Sequence, residues 1–454
     1  MIKRIGIVAL WLLALALIVV TMNSNEPYLV RLRGVGNLII LGVSVGVPIL
    51  LLRRGAWRSR KLGDRLLLLL WCVPAFAFIL AQTWFAWRKH EVLATDAAIA
   101  HLLGPHFVVG YAASEEAAML AAKGLIGGVY VTRHNAGDRT AAELKGEIAE
   151  LQAARVGAGL PPLIVAADQE GGVVAHLSPP LPREDALSTL ADLASEPRRR
   201  AAEALGRRQG AALAEMGVTL NLAPVLDLRP DRSRTRFDFN TLIGQRAISD
   251  DPTVVSEIAT NYVRGLAASG VGAAVKHFPG LGRVTADTHH FAARLNTPTA
   301  ELEGADWRPF HDVIESTSAV LMVGHVILES IDPDRPASHS KAVLDGLIRH
   351  AWNYDGVIIT DDLVMGAIYG GDVCKAVVEA LNGGADLLLV AYDGAQFYRI
   401  FGCARRALEH GQLDLIALAR SEERLRRRLG KPVETSAPGV VESRMRGPTS
   451  RAGF

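Results

Sequence analysis

After about residue 91, short apolar runs alternate with longer segments of helical character, and this alternation most constrains the fold. The predicted strands are residues 107–111, 127–131, 163–167, 219–223, 271–275, 319–323, 357–360 and 386–390. Strands that are apolar throughout and separated by helices indicate a parallel sheet covered on both faces. Eight such units predict an α/β fold of the (β/α)8 TIM-barrel type. The alternative is an open doubly wound sheet, but no G-x-G-x-x-G follows the first predicted strand.

Polar and ionisable residues gather where six of the predicted strands end. They are Asp168, Asp227, Lys276-His277, His325, Asp361-Asp362 and Asp393. Any one of the aspartates could simply cap the next helix. Because barrel active sites lie at the C-terminal ends of the strands, the six ends together predict a catalytic site there.

The stretch Lys276–His290 opens from a predicted strand into a loop rich in glycine and proline. Within it Asp287 and His289 are two residues apart, so the carboxylate can brace the imidazole. A braced imidazole has a fixed tautomer and suits proton transfer. The alternative is a turn with solvated histidines.

Asp361 and Asp362 follow a run of mostly β-branched residues that fixes their backbone. Neighbouring residues at the end of a strand point to opposite sides, so one carboxylate can face the barrel axis while the other turns toward the shell. A rigid carboxylate opposite a proton donor is the arrangement used to cleave a glycosidic bond. Of the two, Asp362 is expected to be a structural partner or cap rather than a reactant.

Several of these motifs resemble the bacterial β-N-acetylglucosaminidases of glycoside hydrolase family 3. The motifs are K-H-F-P-G (276–280), D-T-H (287–289), T-D-D-L-x-M (360–365), D-Q-E-G-G (168–172), N-L-A-P-V-L-D (221–227) and I-G-x-R (243–246). They occur in the order of that family and cover about residues 105–395. Agreement among several independent motifs makes the resemblance specific.

The resemblance implies a retaining, two-step mechanism. Asp361 would be the nucleophile, and His289, oriented by Asp287, would be the acid/base. The positions that hold sugar hydroxyls and the N-acetyl group would be Asp168, Arg246, Lys276 and His277. His325 would be either a substrate contact or a satisfied histidine at the barrel end. No cofactor and no metal are implied.

The sequence departs from the family at several positions, among them Ala247-Ile248, which stand where the family has Ser-Phe. Leu281 stands where the family has a histidine, and Val173 and His176 stand where it has arginines. We therefore expect an active exo-β-N-acetylhexosaminidase with shifted specificity. The alternatives are a β-glucosidase or glycoside phosphorylase on the same scaffold and a catalytically impaired glycan-binding sensor. A metal hydrolase using His277, His289 and His290 is a weaker alternative, because no H-E-x-x-H motif is present.

The first 90 residues are predicted to form a membrane anchor. Three charge-free apolar runs predict transmembrane helices at about residues 5–22, 35–52 and 66–87. A cleaved signal peptide is the alternative for the first run, but no small-residue cleavage site follows it. Six basic residues within 53–65 place that linker in the cytoplasm, and three crossings then leave the catalytic domain on the periplasmic or extracellular side of the inner membrane. Cell-wall glycans or their fragments are the expected carbohydrate substrates there.

The barrel is expected to occupy residues 91–430, followed by a disordered tail, 431–454, rich in Pro, Ser, Gly and Arg. The net charge of +2 gives no electrostatic reason to expect a nucleic-acid partner. Of the three cysteines, Cys374 and Cys403 could pair only if the fold brings them together.

Overall fold

The structure is a computed structural model that describes residues 2–230, 242–284 and 293–429. Its centre is a closed barrel of eight strands. They are Phe107–Gly110, Gly128–Val131, Ile164–Ala167, Leu220–Asn221, Gly272–Phe278, Val320–Val323, Ile358–Asp362 and Leu387–Val390. Each strand pairs in parallel with its neighbours in chain order, and the first pairs with the eighth. The predicted (β/α)8 barrel is confirmed.

The strands are apolar on both faces because each face packs against a different layer. Alternate residues such as Val108, Ala166 and Ile359 fill the barrel interior. Their neighbours, such as Val109 and Val165, pack outward into the larger core under the helices. The period of two along each strand therefore separates the two cores.

Two strands differ in length from their prediction by more than one residue. The fourth has only Leu220–Asn221, because Pro224 beyond it has no N–H to donate to a ladder; an isolated bridge from Val225 to Lys276 then resumes the pairing. The fifth strand continues to Phe278. Lys276 and His277 therefore lie within the strand, on its rigid backbone, rather than in the loop after it.

Helices surround the barrel. They are Ala97–Leu103, Ser114–Ala122, Ala141–Gly157, Ser195–Met216, Pro252–Ala268, Arg308–Ser316, Ala342–Ala351, Val373–Gly383, Phe397–Glu409 and Leu415–Leu429.

The start of the helix Ala141–Gly157 shows how the sequence sets a helix boundary. Thr140 and Glu143 form a reciprocal capping box there, which satisfies two backbone N–H groups that have no partner within the helix.

Three apolar helices precede the barrel: Ile2–Met22, Val35–Arg53 and Leu62–Leu93. The second and third are long and apolar enough to cross a membrane, whereas the apolar part of the first, Gly6–Met22, is shorter. They pack together around the fully buried Trp71, with Ala14 and Leu67 beside it. Most of their other large apolar side chains are exposed.

The third helix is longer than predicted. It ends at Leu93 instead of Trp87, so the predicted boundary at residue 90 falls inside a continuous helix. The extension forms because Val92 is buried in the outer core of the barrel, with Phe85 packed against the same core.

Cys374 and Cys403 form a disulfide, with their Cα atoms 5.1 Å apart. It joins the helices Val373–Gly383 and Phe397–Glu409, which flank the eighth strand. The sequence left this pairing open, and the fold decides it. The predicted tail, 431–454, lies outside the described residues.

Candidate functional site

The closed parallel barrel brings the C-terminal ends of all eight strands to one rim. Asp168 directly follows the third strand, Lys276 and His277 lie near the end of the fifth, and Asp361 lies at the end of the seventh. The candidate residues on these strands, which are up to about 190 positions apart in the chain, therefore share one end of the barrel.

A buried charged network lies at this rim. Lys276, only 3% exposed, donates to the carboxylates of both Asp168 and Glu170, the latter at 2.7 Å. Arg246 binds Glu170 through two hydrogen bonds of 2.9 and 2.6 Å. A bidentate pair between a guanidinium and a carboxylate holds both side chains in one orientation. Arg246 reaches the site from the short helix Ile243–Arg246.

The charges in this network stabilise one another. Burial alone would raise the pKa of Asp168, but Lys276 offsets this and holds the pKa below its usual range. Burial is similarly outweighed at Glu170, where Arg246 and Lys276 lower the carboxyl pKa. Burial would lower the pKa of Lys276, but the carboxylates of Asp168 and Glu170 raise it instead. All three groups are therefore ionised at neutral pH.

Tyr130 and His176 extend the network on the side of Asp168. The Tyr130 hydroxyl donates to Asp168 and lies 3.2 Å from Nδ1 of His176. Because a tyrosine hydroxyl has a single proton, Nδ1 of His176 donates to the tyrosine oxygen. Burial lowers the pKa of His176. One of the departures from the family pattern thus lies directly beside the sugar-binding candidate Asp168.

Two other departures lie elsewhere. Leu281 is 7% exposed and packs in the apolar core outside the barrel. Val173 is 45% exposed, in the turn between the short strands Gln169–Gly171 and Val174–Ala175. Leu281 therefore replaces a polar side chain by core packing, whereas Val173 removes a positive charge from the surface of the turn.

His277 is oriented by Asp227, which is fully buried. Its Nδ1 lies 2.7 Å from the Asp227 carboxylate, which also accepts the backbone N–H of Leu281 at 2.7 Å. The carboxylate fixes the ring and accepts the proton of Nδ1, so Nε2 is the nitrogen directed away from Asp227. Asp227, which follows the fourth strand, thus connects that strand to the fifth through its hydrogen bonds to His277 and Leu281.

Asp361 and Asp362 have different surroundings, as strand alternation predicts. The Asp362 carboxylate accepts the backbone N–H groups of Val364, Ala391 and Tyr392 at 3.0, 2.9 and 2.8 Å. Burial raises the pKa of Asp362 to about 6, against the effect of these amides. Asp361 is half-buried and accepts the Asp362 N–H at 2.8 Å.

His325 is held by its surroundings in the protein. Its Nδ1 lies 2.7 Å from the Ser338 hydroxyl, and its Nε2 lies 2.9 Å from the Asp362 carbonyl oxygen. A carbonyl only accepts, so Nε2 carries the proton. Both ring nitrogens are thereby engaged in positioning the backbone next to Asp361.

The predicted acid/base pair, Asp287 and His289, lies outside the described residues, as does His290. Within the described ranges, no three His, Cys, Asp or Glu side chains cluster in a way that could hold a metal ion.

Three residues of the site were not assigned by the sequence. Glu170 and Asp227 stand inside the motifs D-Q-E-G-G and N-L-A-P-V-L-D, but nothing local distinguishes their contacts from helix capping. Tyr130 is a polar residue in an otherwise apolar strand, and that is the signal that could have identified it.

Comparison with known proteins gives one consistent family. Residues 94–427 match the glycosyl hydrolase family 3 N terminal domain. A protein named β-hexosaminidase from Idiomarina loihiensis is 33% identical over 284 residues, covering 62% of this chain and 81% of its own. Another β-hexosaminidase, from Xanthomonas oryzae pv. oryzae, is 32% identical over 277 residues, covering 59% and 77%.

Solved structures agree with this. The family 3 β-N-acetylglucosaminidase from Paenibacillus sp. superposes with a TM-score of 0.67 at 28% identity, covering 76% of this chain and 64% of its own. This chain thus spans slightly less than two thirds of the Paenibacillus protein. The β-N-acetylhexosaminidase from Beutenbergia cavernae gives a TM-score of 0.63 at 27% identity, covering 73% and 97%.

Proposed function

Because this chain belongs to glycoside hydrolase family 3, we propose that it is a retaining exo-β-N-acetylhexosaminidase that releases terminal β-linked N-acetylglucosamine. The observation that carries the proposal is the pair Asp361-Asp362 at the end of the seventh strand. The buried carboxylate of Asp362 takes three backbone amides and so fixes the backbone that presents Asp361 to the barrel end. The names of the similar proteins support the choice of sugar.

In the first step, Asp361 attacks the anomeric carbon and a covalent glycosyl-enzyme forms. The bond to the leaving oxygen breaks, and His289, braced by Asp287, gives that oxygen a proton. In the second step, His289 takes a proton from water. The resulting hydroxide attacks the anomeric carbon and releases Asp361.

The sugar is proposed to bind against Asp168, Arg246, Lys276 and His277. Ionised carboxylate and ammonium groups held in a fixed network need little reorganisation when the sugar hydroxyls bind. Arg246 and Lys276 are held in place by Glu170, which therefore acts as a positioning residue. His277 presents Nε2 because Asp227 binds its other nitrogen.

The test of the nucleophile is the pair of variants Asp361→Asn and Asp362→Asn, assayed with a chromogenic β-N-acetylglucosaminide beside the β-glucoside. Asp361→Asn keeps the shape and removes the charge, so we expect a folded protein without most of the rate enhancement. A fluorinated analogue that traps the glycosyl-enzyme should add mass to a peptide containing Asp361. Labelling of another residue, or substantial activity in Asp361→Asn, would contradict the proposal.

The same assay addresses the alternative activities. His176 lies beside Asp168 through Tyr130, where the family has an arginine, and this favours a shifted preference among sugars. Faster turnover of the β-glucoside would identify a β-glucosidase. Phosphate-dependent turnover would identify a phosphorylase, and absence of turnover of either glycoside with retained glycan binding would identify a sensor.

We further propose that residues 1–93 anchor the enzyme in the inner membrane by three crossings, with the barrel on the periplasmic or extracellular side. Only 11% and 22% of the most apolar windows of the second and third helices are buried, whereas a core helix of a soluble protein is mostly buried. The first helix packs on the third around Trp71. The disulfide between Cys374 and Cys403 supports an oxidising compartment.

The orientation is tested with a reporter fused after Phe454. The basic linker between the second and third helices predicts that a reporter requiring export is active. A fusion that is active only in the cytoplasm would contradict this topology. The natural substrates on the outer side are cell-wall glycans or their fragments.

A further inference from the structure

The C-terminal end of the third apolar helix runs beside the barrel helix Phe397–Glu409 in the same direction. Phe85 packs edge-on against Tyr398 with ring centroids 6.0 Å apart, and Glu91 pairs with Arg405 at 3.1 Å. Because the residue numbers of these contacts increase along both helices, the two helices are parallel. The helix Phe397–Glu409 follows the eighth strand, so it starts at the C-terminal end of the barrel and runs toward the opposite end. The apolar part of the third helix, which precedes Phe85, therefore extends beyond the catalytic end of the barrel.

The connection between the first two apolar helices is fixed to the same end. Arg33 donates to both carboxylate oxygens of Asp393 at 2.8 and 2.6 Å, and the Asp393 side chain is only 3% exposed. Gln396 donates to the Asn25 carbonyl at 2.7 Å. A buried bidentate pair is among the stronger and more directional contacts in proteins. We call residues 23–34 the anchor loop.

The anchor loop is linked through Asp393 and Tyr392 to the backbone that holds the proposed nucleophile. The backbone N–H of Tyr392 binds the carboxylate of Asp362, and the next residue, Asp393, binds Arg33. The Tyr392 side chain itself is 57% exposed. Consecutive Cα atoms are about 3.8 Å apart, so the contact with the anchor loop is one residue from the backbone that positions Asp361.

Aromatic residues indicate where the bilayer surface lies. Trp84 and Trp87 stack with ring centroids 4.8 Å apart, and each is 49% exposed. Arg88 lies over the Trp84 ring at 5.0 Å. Exposed tryptophans followed by a cation are typical of a membrane–water interface. Phe85, between the two tryptophans in the chain, contacts Tyr398, so this interface is level with the catalytic end of the barrel.

We propose that the active-site mouth opens beside the bilayer and that the substrate is a membrane-tethered glycan. Its terminal β-N-acetylhexosamine enters the barrel, and its aglycone remains in the membrane. The inference rests on the proposed glycosidase function. In an exo-acting enzyme the leaving group points out of the mouth, and here that direction leads to the lipid surface. A shared membrane also raises the effective concentration of such a substrate, by about 100-fold or more over one free in solution.

The test uses the full chain in phospholipid vesicles with synthetic β-N-acetylglucosaminides. One substrate carries the sugar on a lipid without a spacer, a second carries it on the same lipid through a long hydrophilic spacer, and a third is soluble and chromogenic. We expect the lipid substrate without a spacer to be cleaved at least as fast as the long one, and much faster than the soluble one at equal bulk concentration. A mouth that faces away from the bilayer would cleave the tethered sugar only through the long spacer.

The outcomes separate the two proposals. Cleavage of the soluble substrate with no cleavage of the short lipid substrate in the same vesicle overturns the inference and leaves the glycosidase function standing. No cleavage of any of the three overturns both. A short substrate that is cleaved equally well from separate vesicles would also overturn the inference, because surface sharing would then have no role.

A matched pair of variants tests the anchor loop. Arg33→Gln removes the contact with Asp393, so the ratio of tethered to soluble rates should fall severalfold. Arg31→Gln changes an exposed arginine in the same loop and should leave the ratio unchanged. The soluble rate reports whether each variant is folded. An unchanged ratio in Arg33→Gln would show that this contact does not orient the barrel.

Discussion

Replacement of Lys276 by methionine tests whether its charge organises the site. The substitution keeps the length of the side chain and removes the cation shared by Asp168 and Glu170. At the 2.7 Å that separates Lys276 from Glu170 and an effective dielectric of about 20, the Coulomb attraction of that pair is about 6 kcal/mol before the cost of desolvation. Removing one partner of a buried pair usually costs about 3–5 kcal/mol.

We expect a loss of about 3 kcal/mol in the free energy of unfolding at pH 7, near the lower end of that range. The reason is that Glu170 keeps its two hydrogen bonds to Arg246, so the uncompensated charge is mainly that of Asp168. Urea unfolding of the full chain in detergent, followed by tryptophan fluorescence, measures the difference.

The pH dependence of this loss is a sharper test. The pKa values of Asp168 and Glu170 are lowered in the folded protein. Their contribution to stability is therefore present above the unfolded values of about 4 and is lost as the pH falls through the folded values. The variant lacks mainly the contribution of Asp168, because Glu170 keeps Arg246, so its difference in stability from the wild type should narrow as the pH falls below about 4.

Lys375→Met is the matched control. Lys375 is 61% exposed and lies 3.9 Å from Glu379, so its loss should have little measurable effect. A similar loss in both variants, or a loss in Lys276→Met that is independent of pH, would refute the reasoning from buried charge.

Three further predictions follow from the site and the fold. His289→Ala should slow substrates with poor leaving groups far more than activated ones, and equal slowing would indicate a structural role. Replacing both Val173 and His176 by arginine should change the ratio of specificity constants between sugars. His176→Arg should cause most of that change, because His176 lies beside Asp168 whereas Val173 is exposed. An unchanged ratio would exclude a binding role for these positions. Cys374→Ser removes a disulfide whose cysteines are separated by 29 positions, and the chain-entropy relation predicts a loss of about 3–4 kcal/mol in the free energy of unfolding. Urea unfolding with and without reductant measures this loss. A wild-type stability that does not change with reductant would contradict the pairing.

The sequence by itself determined the barrel and the end of the barrel at which the candidate residues lie. Runs that are apolar at every position require cover on both faces, and that property is local to each run. Strand alternation likewise separated Asp361 from Asp362, because the direction of neighbouring side chains depends only on the backbone between them. The positions of Asp168, Lys276 and His277 at the barrel rim followed from the same pattern.

Only the tertiary structure decided which of these groups touch. Glu170 and Arg246 are 76 residues apart, and Arg33 and Asp393 are 360 apart. An aspartate or glutamate after a strand has the same local sequence whether it caps a helix or binds a distant cation. Burial, which makes such pairs strong, arises when separate strands and helices close around them. The direction in which the apolar helices meet the barrel depends on contacts of this long-range kind, because no local pattern in those helices encodes it.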